Sequence, residues 1–579
     1  MGGSCSRKRD EQDIEGVELS PEPGRLSRSI SLRWPVKHLS FHHGEETGSR
    51  TGQYPSLLEI SIQVICQSIG RYGSLAILPR DLSQQVFNEL VRRQLLSAPV
   101  LRAFIDCALQ DVMLADYSGV EDSWMEVVGR QGESLLAVDI SSSAVTDTGL
   151  LCIEGCQNLQ RLCLNYCDQI SDSGVLSLSG FTNLTSLSFR GSSAITANGM
   201  SHLSELVNLT SLDLERCPRI HGGLVHLKKL IQLKSLNVGW CISIKNSDIK
   251  SLAGLTNLED LQISRSKVND AGIASLKGLS KLQSLSMEGC PVTVLCMDTI
   301  AGLTSLTSLN IKSCQISDAG CRKLEGLTKL QSLNMGYNLN VTDVGLASLR
   351  GLKNLENLNL DSCKVGDAGM EHLKGLHNLH TLDLSDSDVG NNGLQHLAGL
   401  TKLKSLNLSF TSVSDSGMRR IAGIVSLTSL NLDSRQITDA GLVALTSLTN
   451  LIHLDLFGAR ITDYGTASLR HFKRLQSLEL CGGGITDAGV RNMKDLTALT
   501  CLNLSQNCHL TDHALQFLSG MTDLVSLNVA NSRITNAGLQ HLRPLSNLTS
   551  LALQGCKTTL PAVESLQSSS MPNLTVIRR

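Results

Sequence analysis

Three sets of residues in this chain have types and spacing suited to chemistry. The first is at the start, where Met-Gly-x-x-x-Ser is met by Gly2 and Ser6. That pattern is read by N-myristoylation, and Cys5 beside it is a palmitoylation candidate. Arg7, Lys8 and Arg9 follow, so two acyl chains and a basic run would supply the several signals that stable membrane anchoring needs. The second set is a series of thiols, Cys167, Cys217, Cys241, Cys290, Cys314, Cys363 and Cys556, each at the same place in a repeated pattern. Thiols in register raise the question of a zinc site, but no His stands at ligand spacing, so small buried side chains are expected instead. The third is a set of Asp residues in TDxG and SDxG steps, expected to cap helices. No phosphate-binding GxxxxGK[ST] loop, GxSxG elbow or HExxH pair is present. Neither intrinsic enzymatic activity nor a metal or cofactor is therefore expected.

The elements that carry these residues follow from a period. Taking the first Leu of each LxxLxL-like step as an anchor, Leu135, Leu159, Leu184, Leu209, Leu233, Leu258, Leu282, Leu306 and Leu330 open a series that runs on through Leu427 to Leu548. Successive anchors lie about 24 or 25 residues apart, a period characteristic of leucine-rich repeats. In residues 427–450, Leu427, Leu430 and Leu432 alternate inward from a short strand while Ser429 and Asn431 point outward. Asp439 is placed to N-cap the following helix, Ala440 and Gly441 keep that turn slim, and Leu442, Leu445 and Leu448 form its buried stripe. One such unit cannot bury its own apolar face, so neighbours must stack. The expected fold is α/β: a right-handed leucine-rich-repeat solenoid, a horseshoe with a parallel concave sheet and convex helices. A small helical segment and a disordered N-terminal tail precede it.

The boundaries expected from the sequence are a tail at 1–50, a helical segment at 51–108, a degenerate cap repeat at 109–134, regular repeats at 135–547, and a last repeat with a C-terminal cap at 548–579. The tail is polar and irregular. The cap repeat keeps Leu109, Val112 and Leu114 at strand positions and puts Trp124 and Val127 where helix apolars belong. With 51 basic and 53 acidic residues, the net charge of -2 gives no support to nucleic acid as a partner. The 18 Cys lack CxxC pairs and are read as reduced thiols of a cytoplasmic protein, held at the cytoplasmic face of a membrane if the tail is acylated.

The thiol series followed by SDAG or TDxG resembles the cysteine-containing leucine-rich-repeat class of F-box proteins, including the plant F-box/leucine-rich-repeat family. This resemblance implies a substrate-recognition subunit of a cullin-type ubiquitin ligase. Within 51–108, LPRDLSQQVFNEL resembles the opening of an F-box. By that resemblance Leu78, Pro79, Leu82, Val86, Phe87 and Leu90 would dock a Skp-type adaptor. A competing resemblance is the elongin-binding box, SLxxxC followed by Leu-Pro, which would recruit elongin C; here SLLEIS spans 56–61 and Ser61 stands at the Cys position. The same helices also read as a plain cover for the solenoid end, which leaves a membrane-tethered scaffold or signalling adaptor as the alternative function. A protein substrate is expected on the concave face or strand-exit loops. There the larger side chains Arg190, Arg216, Trp240, Arg265 and Tyr337 suggest a partner-binding patch, because Trp, Tyr and Arg are favoured at interfaces.

Overall fold

The computed structural model describes residues 56–578. Gly2, Cys5 and the rest of the 1–50 tail lie outside the described residues. Twenty short strands form one parallel sheet in which each strand pairs with its sequence neighbours. The first is Asp111–Met113 and the last Val576–Arg578. Register is preserved from repeat to repeat, with Leu430 opposite Leu406 on one side and Leu454 on the other. Each unit places its aliphatic side chains at or near zero exposure. In 427–450 these are Leu427, Leu430, Leu432, Ile437, Leu442, Leu445 and Leu448. A fully buried side chain of this kind stabilises by about 1.5–3 kcal/mol, so the stacked core dominates the energetics.

The convex side is built from single turns. Asp439–Ala444 is a six-residue α-helix, and elsewhere, as at Gly393–Leu397, the turn is a 3-10 helix. The N-cap of the first of these helices is Thr438, whose hydroxyl accepts from the Ala440 amide, so the expectation that Asp439 caps it is corrected. Asp439 reaches instead to the next repeat, accepting from the Thr462 amide at 2.8 Å and the Thr462 hydroxyl at 2.6 Å. The same tie joins Asp147 to Ser171, Asp172 to Thr196, Asp318 to Thr342 and Asp487 to Thr511. It also explains the glycine of the motif. A Cβ on Gly441 would lie 2.5 Å from Oδ1 of Asp415, because the previous repeat's carboxylate occupies that space.

The thiol series forms a second inter-repeat tie. Cys167, Cys217, Cys241, Cys290, Cys314 and Cys363 each donate to a main-chain carbonyl at the end of the preceding strand, at 3.1–3.3 Å. Asn338 and Asn507 make the corresponding bond at 2.9 and 2.8 Å where the series lacks Cys. Burial pushes the Cys241 and Cys363 thiols up to about 12, which disfavours the thiolate that metal binding or nucleophilic attack requires.

Before the sheet come α1 (Leu57–Gln67), α2 (Arg80–Arg92) and α3 (Ala98–Arg102). Gln84 of α2 covers the open edge of the first strand. Its Oε1 accepts from the Gln110 and Asp111 amides at 2.9 and 3.1 Å, and its Nε2 donates to the Asp111 carbonyl at 2.7 Å. A glutamine at this point satisfies backbone groups that would otherwise be stranded at a buried edge.

Candidate functional site

The residue seven places past each anchor adopts a positive φ in every repeat from Ser142 to Gly555 except at Ser434. Glycine fills some of these positions, but others carry Tyr166, Arg216, Trp240, Arg265, Tyr337 and Phe410, with φ near 55–60°. A left-handed conformation costs a non-glycine residue roughly 1–2 kcal/mol. It is held by sheet-like bonds into the next repeat, such as the Trp240 amide to the Ser264 carbonyl at 2.6 Å. The geometry turns these side chains onto the rim where the strands exit.

On this rim the structure brings together four of the residues singled out in the sequence. Trp240, 45% exposed, lies between two guanidinium groups, Arg216 at 5.5 Å and Arg265 at 5.3 Å from the ring centroid. Carboxylates hold the arginines in place. Glu215 is buried, accepts from Arg190 at 3.0 Å, and stands 3.6 Å from Arg216. Glu288 pairs with Arg265 at 3.4 Å. Gly289 is part of the arrangement, because a Cβ there would meet the Arg265 side chain at 2.8 Å. Tyr337 stands three repeats beyond Arg265, about 14 Å at one strand spacing per repeat, and pairs with Lys312 at 4.8 Å instead of joining the tryptophan stack. The sequence patch is therefore two patches.

The adaptor stripe is rearranged more strongly. Val86, Phe87 and Leu90 are fully buried, with Phe87 edge-on to Phe104 at 5.4 Å. They are consumed in closing the solenoid end and offer no surface to an adaptor. Leu78 and Leu82 are partly exposed and Pro79 is exposed. The expectation that all six form one docking stripe is corrected accordingly. Sequence reading missed the opposite side of α1, where Leu57 (82% exposed), Ile60 and Val64 (54%) line up at helical spacing without a covering element among the described residues. Ile62 and Cys66 are the helix's buried residues.

The farther half of the concave face holds a second feature that the sequence reading did not single out. Asp383, Asp433, Asp455 and Glu479 face outward from the repeats opened by Leu379, Leu427, Leu451 and Leu475, and among the described residues no Lys or Arg pairs with any of them. Burial raises all four, and the neighbouring Asp455 charge helps to bring Asp433 to about 6.

A leucine-rich-repeat region model matches residues 273–486, and a second leucine-rich-repeat model matches residues 155–179. With the twenty-strand repeat sheet, these matches show the leucine-rich-repeat fold. No curated protein matches it. Among solved structures it is similar to an internalin, inlF, of Listeria monocytogenes at 24% identity, covering 60% of this chain and 81% of that one, TM-score 0.34. A leucine-rich-repeat protein of Leptospira interrogans is similar at 18% identity, covering 76% and 95%, TM-score 0.37. Mouse RP105, in its complex with MD-1, is similar at 18% identity, covering 82% and 84%, TM-score 0.45. Among the described residues, no helix is long and apolar enough to cross a membrane.

Proposed function

We propose that the chain is a protein-binding receptor whose partner docks on the strand-exit rim around Trp240. The observation that carries this reading is the half-exposed indole held between Arg216 and Arg265 on left-handed backbone, where glycine is the unstrained choice. The left-handed turn belongs to the repeat, with Ser, Asp, Asn or Gly at many of the equivalent positions; what supports a binding surface here is that a large aromatic and two arginines stand exposed side by side at it, since Trp and Arg are favoured at interfaces. Proximity labelling in cells tests it. Partners recovered with the native chain should be lost with Trp240→Ala/Arg265→Ala; an unchanged partner set moves the site elsewhere.

A second reading couples this receptor to a cullin-type ubiquitin ligase, as the F-box and elongin-box resemblances imply. The outward apolar face of α1 favours the elongin-type arrangement over a Skp-type one, since the F-box-like stripe is spent on the core. Full-length protein co-expressed with elongin B and C should co-purify with them, and Leu57→Asp/Val64→Asp should abolish the complex. Recovery of a Skp-type adaptor instead would restore the F-box arrangement, and recovery of neither leaves the scaffold without a ligase. Acylation at Gly2 and Cys5 would add a membrane tether, and an unacylated native N-terminus in mass spectrometry removes it.

A further inference from the structure

We infer that the concave face between Asp383 and Glu479 binds an extended, arginine-bearing segment of a protein partner. The argument starts from charge. At the positions two, four, six and seven past the anchor, the repeats opened by Leu355 through Leu475 contain no Lys or Arg. Asp383, Asp433, Asp455 and Glu479 therefore have no Lys or Arg at these neighbouring positions; His453, on the strand of Asp455, is pushed toward its neutral form by burial, and Arg435, one position farther along, forms no ion pair with them among the described residues. Asp383 accepts from the Ser385 amide at 3.0 Å and hydroxyl at 2.6 Å, Asp455 from the Phe457 amide at 2.9 Å, and Glu479 from Asn503. These are neutral donors, which orient the carboxylates but leave their charge uncompensated.

An independent observation lies in the middle of the strip. Ser405 is 8% exposed on the strand between those of Asp383 and Ser429, and its hydroxyl has no hydrogen-bond partner. A buried polar group of this kind is normally satisfied, and this one, on an outward position of its strand, is left without a partner among the described residues, as a covering segment would remedy. Phe410, 66% exposed on its left-handed rim position, supplies an aromatic face beside the carboxylates. On the nearer half of the same sheet the chain itself lays arginine over an aromatic ring between carboxylates. The farther half has the carboxylates and the ring, and the arginine must come from outside. From the Asp383 strand to the Glu479 strand is four strand spacings, about 19 Å. An extended segment of about six residues spans that distance. Burial and mutual repulsion, which raise these carboxyl groups, are relieved when a guanidinium settles among them. This inference is independent of the Trp240 patch and of any adaptor on α1.

The test uses the full-length protein and a fluorescein-labelled (Ser-Arg)4 peptide at 0.15 M salt, read by anisotropy. Asp433→Asn/Asp455→Asn/Glu479→Gln should raise Kd at least tenfold. Asp298→Asn/Glu325→Gln/Glu371→Gln removes the same three charges from exposed positions away from the strands and should change Kd by less than twofold. Phe410→Ala should weaken (Ser-Arg)4 more than (Ser-Lys)4, because guanidinium stacks on an aromatic face better than ammonium. The inference is overturned if the concave triple variant binds unchanged, if the control triple weakens binding equally, or if (Ser-Glu)4 binds as well. Circular dichroism melting of each variant separates loss of binding from loss of fold.

Discussion

The strands before and after Tyr337 carry the same Ser and Asn rungs yet handle charge in opposite ways. In the earlier repeats the rim carboxylates Glu215 and Glu288 have cations, Arg190 and Arg216 for the first and Arg265 for the second, while Asp213 on the strand below accepts from a neutral amide and is raised by burial. In the later repeats Asp433, Asp455 and Glu479 have neutral donors or each other's charge. The frame beneath is the same in both halves, with Asp172 tied to Thr196 as Asp439 is tied to Thr462. The difference therefore lies in a few outward positions per repeat that the core does not constrain. A solenoid separates stability from recognition in this way, because each repeat needs only its neighbours' inward residues.

If that separation holds, breaking the frame should cost the same in either half. Asp172→Ala and Asp439→Ala each remove the acceptor for a backbone amide and a hydroxyl, and hydrogen bonds to a charged group contribute about 1.5–3 kcal/mol apiece. Each variant should lose about 3 kcal/mol, read as equal shifts of the urea midpoint. A difference above about 1 kcal/mol between them would show that the halves are not built on one frame. The next effect is smaller and confined to one half. Trp240→Ala removes two exposed cation–π contacts, each about 0.5–1 kcal/mol, while retaining the left-handed backbone. It should cost about 1–1.5 kcal/mol, whereas Phe410→Ala, with no cation over its ring among the described residues, should cost less than about 0.5 kcal/mol.

The parts legible in the sequence were those that repeat. Anchor spacing specified the parallel sheet and the buried stripe at Leu442, Leu445 and Leu448, because a local period is a direct image of an inward face. What single-unit reasoning could not see were the bonds between units. Asp439 looks like a cap when only its own helix is considered, but the preceding residue Thr438 does that work and the carboxylate serves the next repeat. The left-handed rim had a signal in the sequence: Gly191, Gly289, Gly458, Gly482 and Gly555 recur at the position held elsewhere by Trp240 and Arg265. The patch was legible as Arg and Trp in one column, while the division of Tyr337 from Trp240 depends on which side chains lean across intervening small residues. In the helical segment, Phe87 and Leu57 are both apolar residues on short helices. Only tertiary packing decides that the first closes the core and the second faces outward.

A single charge removal tests the uncompensated half most directly, since it predicts a gain. Asp433 titrates near pH 6 in the folded chain because burial and the Asp455 charge disfavour its ionised form. An unfolded Asp titrates near 3.9. Above about pH 6 both states are ionised, but only the folded one holds the charge in an unfavourable setting, so Asp433 subtracts stability there. As pH falls from about 6 toward 4 the folded state takes up its proton first and the penalty fades; below about 4 both states are neutral. Asp433→Asn removes the charge without changing side-chain size. Allowing for partial solvent screening, it should raise stability by about 1 kcal/mol at pH 7.5 and leave it nearly unchanged at pH 4. Thermal melts at the two pH values check this. Under the same conditions Glu215→Gln, which loses its pairing with Arg190 and Arg216, should be destabilising at pH 7.5. Opposite signs for the two substitutions would mean that the earlier half is satisfied within the chain and that the later half retains a cost which a cationic partner relieves. Matching signs would place both halves in one electrostatic regime and end the distinction.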